Sequence, residues 1–361
     1  MKINIIGTLC IGLAIFSCNK KVVESKTANQ INMADSINID ENKSFKIAFG
    51  SCAEEDKPQP LLDVATNLQP NLFIYLGDNI YGDTYSMDTL EKKYEMLANK
   101  PEFKRLKATT PILATWDDHD FGWNDAGRHY PHKKDSKEIF MDFWEVPQDS
   151  ERRKHEGIYG VEHVDFEGFN IQIIILDTRT FRDDLTLNDK SDPAYKNDYR
   201  PNISTDSTFL GATQWSWLDS VLKEDADLRI VVSSNQFSHE YNGWESWTNV
   251  PHEQQRFINL IAKNKADGII FLSGDVHWGE LSKRNTTNTY PLYDATSSGI
   301  TETWPHTEPN KYRIGDVIPQ NNIGLLEIFP KKKDAEIVIS LYDITNKPVV
   351  QHKIKKSEIS F

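Results

Sequence analysis

Two stretches share an arrangement of residues that could hold metal ions: Leu76-Gly-Asp78-Asn-Ile-Tyr81-Gly-Asp83 and Ser273-Gly-Asp275-Val-His277. Each offers a carboxylate and, a few positions on, a second ligating group. Asp275 and His277 are two apart, so in extended backbone both side chains would face one side. Asp78 and Tyr81 are three apart and would face one way on a helical turn. The only cysteine of the mature chain, Cys52, adds a thiol. Thiolate, phenolate and imidazole suit a transition metal, and tyrosinate in particular suits a strongly Lewis-acidic ion such as ferric iron. The amide of Asn124 and the Asp275 carboxylate suit a harder cation such as calcium, magnesium or manganese. An aspartate placed between two cations about 3.5–4 Å apart can bridge them, the usual device of binuclear hydrolytic centres. The chemistry expected is in-line attack on phosphorus by metal-activated hydroxide, with an arginine neutralising phosphate oxygens. No Ser/His/Asp order suggests a protein nucleophile.

Such groups work together only if the chain delivers them to one place. Apolar runs at Phe45–Phe49, Leu72–Leu76, Pro111–Trp116, Phe169–Leu176, Arg229–Ser234 and Gly268–Ser273 read as strands. Each ends in a polar cluster: Cys52, Asp78, Asp117-Asp118-His119-Asp120, Asp177-Thr-Arg179 with Arg182, Asn235-Gln236, and Asp275. Helical patterns lie between them: Pro60–Leu68, Met87–Lys100, Pro101–Lys107, Lys137–Trp144, from Leu210 onward, and Pro251–Lys265. Strand–helix alternation with chemistry at strand ends is the α/β arrangement. Ile158–Val164 and Phe169–Leu176, split by Glu167-Gly168, read as a hairpin. Leu292–Thr296, Ile323–Phe329, Ala335–Tyr342 and Val349–Ile354 read as antiparallel strands closing the sheet. The polar stretch 185–207, with Tyr195 and Tyr199, is expected to face substrate, whereas Trp244 and Trp247 are expected to pack.

The first residues read differently. Lys2, an apolar run from Ile5 to Phe16, and Ser17-Cys18 form an export signal over 1–18, with Cys18 as the acylated residue of a lipoprotein. The run is too short to span a bilayer. Residues 19–43 are polar and aperiodic, a tether. One domain, 44–361, follows, with no room before Phe45 for another. The expected location is the periplasm or cell surface, with membrane contact only through the lipid anchor. Of three cysteines, Cys10 and Cys18 belong to the signal, which leaves Cys52 without a disulfide partner. A net charge of −13 argues against nucleic-acid binding or a binder of anionic membranes. Phosphate substrates then depend on metal for positive charge.

Taken one at a time, these features have ordinary explanations. A Gly-Asp after a strand is commonly a turn cap, a single histidine or tyrosine is commonly core, and Arg179 and Arg182 beside acids are commonly ion pairs. Together, however, the motifs Phe49-Gly-Ser-Cys52, Leu76-Gly-Asp-Asn-Ile-Tyr81, Ala114-Thr-Trp-Asp-Asp-His-Asp120 with Asn124, Leu176-Asp-Thr-Arg-Thr-Phe-Arg-Asp183, Leu210-Gly-Ala-Thr-Gln-Trp-Ser-Trp-Leu218 and Ser273-Gly-Asp-Val-His277 resemble the PhoD-like alkaline phosphatases/phosphodiesterases, a branch of the calcineurin-like metallophosphoesterases. The resemblance implies an α/β four-layer αββα sandwich with mixed sheets and a phosphate ester substrate. It also implies Fe3+ with Ca2+, or another divalent ion in place of calcium. By motif, Cys52, Asp78, Tyr81 and His277 would surround iron, with Asp78 bridging, while Asn124 and Asp275 would hold calcium. His119 and Arg179 would contact phosphate or support the loops that do, with Asp118 and Arg182 as neighbours able to take those parts. The rival readings are a phospholipase- or phosphotriesterase-type hydrolase on the same metals, and a non-catalytic surface binding protein stabilised by calcium.

Overall fold

The computed structural model describes residues 41–330 and 333–361, and these belong to one compact unit. The expected signal with Cys18, and all but the last three residues of the expected tether, lie outside the described residues. Strand β1 (Phe45–Gly50) leads through helix α1 (Pro60–Asn67) to β2 (Leu72–Leu76), then α2 (Met87–Asn99), α3 (Pro101–Thr109) and β3 (Ile112–Thr115). Helices α4 (Asp118–Phe121), α5 (Lys133–Phe143) and α6 (Glu151–Lys154) precede β4 (Gly160–Phe166) and β5 (Phe169–Ile175). Short strands β6 (Thr186–Leu187) and β7 (Tyr199–Arg200) lie in the polar loop before α7 (Gly211–Val221) and β8 (Leu228–Val232). Next come α8 (Pro251–Asn264), β9 (Ile269–Ser273), β10 (Gly279–Arg284), β11 (Leu292–Ser297) and β12 (Arg313–Ile318). The last strands are β13 (Asn322–Phe329), β14 (Glu336–Asp343) and β15 (Pro348–Lys355).

They form a six-stranded sheet, β15-β14-β13-β1-β2-β3, and a seven-stranded sheet, β12-β10-β11-β9-β8-β5-β4. In the first sheet, β1, β2 and β3 are parallel and β13 runs antiparallel to β1. Alternation along β1 and β2 decides the layering. Ile47, Phe49, Leu72, Ile74 and Leu76 face inward and pack with Ile173, Ile230, Val232 and Ile270 of the second sheet. Ala48, Phe73 and Tyr75 face outward onto Leu61, Leu90, Leu106 and Phe140 of α1, α2, α3 and α5. On the far side, Trp215, Leu218, Phe257 and Ile261 bring α7 and α8 onto the seven-stranded sheet. This is the four-layer αββα sandwich with mixed sheets that the resemblance implies.

One expectation changes, and one strand is unforeseen. The Leu292 strand is parallel to β9, and antiparallel only to β10. Strand β10, hidden from apolar periodicity, carries buried Glu280 and Ser282. Glu280 accepts from Gln236, Trp278, Arg313 and Asn310 at 2.7–3.1 Å, and these partners make its burial tolerable. Among the described residues no helix is long and apolar enough to cross a membrane.

Candidate metal centre

Because β1, β2 and β3 are parallel, as are β5, β8 and β9, their C-terminal ends meet along one edge of the two sheets. The chain is drawn so tight there that side chains must be left out. A Cβ on Gly77 would lie 2.6 Å from Cβ of Asp117, and one on Gly274 would lie 2.2 Å from Oγ of Ser51. These are the glycines of the two Gly-Asp motifs. Asp120 clamps the edge, accepting from the backbone N–H of Asp78 at 3.2 Å and of Asp117 at 2.6 Å.

Four of the expected ligands then leave their strands in strained backbone. Cys52, Asp78, Asp275 and His277 have φ of 59°, 48°, 73° and 62°, a left-handed region that costs a residue other than glycine roughly 1–3 kcal/mol when surroundings hold it there. Here the structure corrects the expected geometry. Asp275 and His277 do not share a side through extended backbone, and Asp78 and Tyr81 are not on a helical turn. A left-handed kink at each aspartate turns the side chains toward one another.

Single ligand atoms of Cys52, Asp78 and His277 all lie within 4.8 Å of one another, as do those of Asp78, Asp118 and His119, and those of Asp117, Asp118 and Asp275. Asp78 joins the first two groups, and Asp118 joins the second to the third. The Cys52 thiol donates to Asp78 Oδ2 at 3.4 Å, and its sulfur is 3.1 Å from Ser298 Oγ. Tyr81 Oη is 3.3 Å from His277 Nε2, and the Tyr81 ring lies over His119 at 4.2 Å between centroids. His119 is held from behind, its Nδ1 2.8 Å from Asp83 Oδ2. Asp83 Oδ1 also accepts from the Asn124 backbone N–H at 3.0 Å, so one carboxylate fixes two of the expected site residues.

Charge at this edge is poorly compensated by protein alone. Burial first, then Cys52 and Asp118, push the Asp78 carboxyl well above the ordinary range, and burial with Asp117 and Glu245 does the same to Asp275. Burial also raises the Cys52 thiol and the Tyr81 phenol. His119 goes the other way: burial disfavours its charge, but Asp118, Asp78 and Asp83 outweigh that and lift it to about 11. Among the described residues Asp78 Oδ1 and Asp117 Oδ2 are buried and accept no hydrogen bond. Crowded carboxylates with an unsatisfied inward oxygen are what a bound cation relieves. A thiol, a phenol and an imidazole at one end with carboxylates at the other match a mixed pair of ions, so the residues present fit the expected metals.

These groups open into a pocket of about 300 Å³ lined by Asp78, Asp118, His119, Asn124, Asp275 and His277, with Asp125, Tyr199, Trp244 and Trp304 further out. Asn124 stands at its exposed side, its amide donating to Asp125 at 2.9 Å. Arg179 does not line it. It is wholly buried, bound through Nε and Nη2 to Asp117 and at 2.6 Å to Glu245, with Asp118 at 3.6 Å. Arg182 lies beside it, 3.1 Å from Glu245. The structure therefore sets both arginines beneath the pocket instead of on its wall. Of the loop aromatics, Tyr199 and Trp244 reach the pocket, while Trp247 is core, donating to Ser233 Oγ at 3.0 Å. Sequence reasoning gave Asp118 only a substitute's part and missed Asp83, Glu245 and Trp304. The Asp-Asp-His-Asp run and the second Gly-Asp of the opening motif could have pointed to Asp118 and Asp83. No comparable signal marks Glu245 or Trp304.

Comparison with known proteins bears on this arrangement. The sequence model described as PhoD-like phosphatase matches residues 47–304. Alkaline phosphatase D of Bacillus subtilis (strain 168) is 24% identical over 261 residues, which cover 64% of this chain and 42% of that protein. The chain thus spans well under half the length of this curated relative. A solved structure of PhoD gives a TM-score of 0.65 at 16% identity, covering 86% of this chain and 68% of the other. A dimetal phosphatase from Danio rerio gives 0.52 at 12% identity, covering 86% and 99%. At such identities the two structural likenesses speak to the fold.

Proposed function

The chain belongs to the PhoD-like phosphatase family, and on that premise we propose that it is an exported, metal-dependent phosphoric ester hydrolase acting on phosphomonoesters or phosphodiesters. The observation that carries the reading is the sharing of Asp78 between a thiol-containing group, with Cys52 and His277, and a carboxylate–imidazole group, with Asp118 and His119. A structural calcium site needs neither Cys52 nor Tyr81, and this weighs against a non-catalytic surface protein.

In this reading Cys52, Asp78, Tyr81 and His277 would hold ferric iron, and Asp275 and Asn124 a calcium or similar ion, with Asp78 between them. Asp118 joins the proposed ligands, since its carboxylate groups with Asp78 and His119 and also with Asp117 and Asp275. Bound there, the ions supply Lewis acidity and an activated water. The chain's own part is to fix and shield the reacting groups. Asp83 holds His119 with Nε2 directed toward the pocket, where it can donate to a phosphate oxygen. Arg179 takes the supporting role: by binding Asp117 and Glu245 it sets the β3 exit and the Trp244 loop, and leaves the phosphate to His119 and the metals. Residues 1–18 would direct export and Cys18 would carry the lipid, with 19–43 as tether.

Elemental analysis of purified protein, paired with Cys52→Ala, tests the centre. Iron is expected in the wild type, and iron and phosphodiesterase activity should fall together in the variant. A variant with unchanged metal content would sink the ligand assignment.

A further inference from the structure

The pocket's outer wall has chemistry of its own. Trp244 and Trp304 both line it, their ring centroids 6.5 Å apart and their planes at 62°. Trp304 is 47% exposed, yet its backbone N–H donates to the His277 carbonyl at 2.8 Å. That bond ties the indole to the turn carrying a proposed metal ligand. Its loop is also pinned from the opposite side, because Glu308 receives Lys196 at 2.7 Å and Asn197 at 2.8 Å. The neighbouring Asp198 and Tyr199 donate their backbone N–H groups to the Gly243 carbonyl at 3.1 and 2.9 Å, next to Trp244. The wall is therefore built in advance and does not have to be ordered by a ligand.

Its charge is negative. Among the described residues no lysine or arginine lines the pocket. Asp78, Asp118 and Asp275 belong to the ligating groups, and Glu245 is paired with Arg179 and Arg182. Asp125, grouped with Asp118 and Glu245, and Asp198, which belongs to none of these groups, are the remaining carboxylates of the wall. Asp125 accepts from neutral donors, the Tyr199 hydroxyl and the Asn124 amide. Asp198 has Lys190 at 3.7 Å with both side chains mostly in water, an arrangement worth little.

Two angled indole faces on a wall that also carries two carboxylates are the means by which proteins hold an ammonium or quaternary ammonium group. A nucleobase could stack on the indoles, but the further phosphates of a nucleotide would meet Asp125 and Asp198. We propose that the substrate is a phosphate ester whose alcohol part carries an ammonium or quaternary ammonium group. Its phosphate would lie at the Asp78–His277 centre and its cation in the corner between Trp244 and Trp304. This deepens the hydrolase reading and rests on it.

The test uses metal-loaded full-length protein. Calorimetry compares choline with its neutral carbon isostere, 3,3-dimethylbutanol, and kinetics compare p-nitrophenyl phosphorylcholine with p-nitrophenyl 3,3-dimethylbutyl phosphate. A preference for the cation of about tenfold in both measurements is expected. It should fall toward unity in Trp304→Ala and in Asp198→Asn, and persist in Trp304→Tyr. Equal binding and equal turnover of cation and isostere would overturn the cation site while leaving the hydrolase reading intact. Trp304-dependent choline binding without hydrolysis of either ester would support the cation site and defeat the hydrolase reading. Glycerophosphocholine and phosphatidylcholine vesicles then separate a free ester from a lipid headgroup, and hydrolysis of either supports the proposal. Faster turnover of the glycerol-headed counterparts would overturn it.

Discussion

Arg179→Met isolates the buried charge network from the chemistry above it. Arg179 is wholly buried and binds Asp117, Glu245 and, at longer range, Asp118. Methionine fills much the same space but leaves those carboxylates facing one another without their counter-ion. Removing one partner of a buried ion pair costs roughly 3–5 kcal/mol. With an unfolding entropy of about 2.1 cal/mol/K per residue over a folded unit of about 320 residues, that cost lowers Tm by roughly 4–8 °C. Circular-dichroism melts of metal-loaded wild type, Arg179→Met and Arg179→Lys should rank in the order wild type, Lys, Met, because lysine keeps the charge without the planar fork. Adding Glu245→Gln to Arg179→Met should return a substantial part of the loss, since it removes one of the stranded charges. A melt of Arg179→Met within about 1 °C of wild type would refute the assignment. So would a normal melt with KM raised many-fold, the result expected had Arg179 been a phosphate ligand.

Two further predictions concern groups that support the site. Asp83 itself sits in left-handed backbone, φ 42°, a conformation asparagine tolerates, so Asp83→Asn changes charge with little backbone penalty. It should lower kcat/KM roughly 10- to 100-fold, as losing the partner that orients an active-site histidine does; metal content measured alongside should stay constant, and a fall in metal instead would mean Asp83 acts on the ions. Glu280 is the pH-sensitive case. Burial alone would raise its pKa, but the His239 imidazole 3.3 Å away, Arg313 and the Trp278 N–H hold it below the ordinary value. A depressed folded-state carboxyl stabilises above its unfolded pKa, about 4.3, and that stabilisation fades as pH falls through the folded value. Glu280→Gln should therefore melt below wild type at pH 7, with the deficit shrinking below about pH 4.5; a deficit that holds or grows in acid would contradict the sign.

Much of the framework was legible because it obeys periodicity. Strands β1, β2 and β9 are apolar runs that end at a glycine, and their parallel courses put Cys52, Asp78 and Asp275 at one edge by topology alone. What escaped reading has a common physical cause, which is burial made tolerable by distant partners. Glu280 on β10 is hidden by Gln236, Trp278 and Arg313. Glu245 in the Trp-rich loop is hidden by two arginines more than sixty residues earlier. Arg179 reads in sequence as either an ion pair with neighbouring acids or a phosphate contact, and only the fold shows that its charge is consumed by the distant Asp117 and Glu245. Trp304 gave no signal because its meaning depends on a backbone bond to His277 and on Trp244 across the pocket.

The left-handed turns sharpen the point about convergence. Spacing suggested that extended or helical backbone would align the ligating pairs, yet Cys52, Asp78, Asp275 and His277 all adopt φ near 48–73°. Cys52, Asp78 and His277 depart from three parallel strands of two different sheets, and regular strand geometry would send their side chains along the sheet edge instead of into one group. The kinks turn them inward, and each costs roughly 1–3 kcal/mol. Tight packing of Gly77 on Asp117 and of Gly274 on Ser51 holds those kinks in place. The two glycines therefore matter as much to the proposed centre as the aspartates that follow them, because without their close approach the strand ends could not remain bent toward one another.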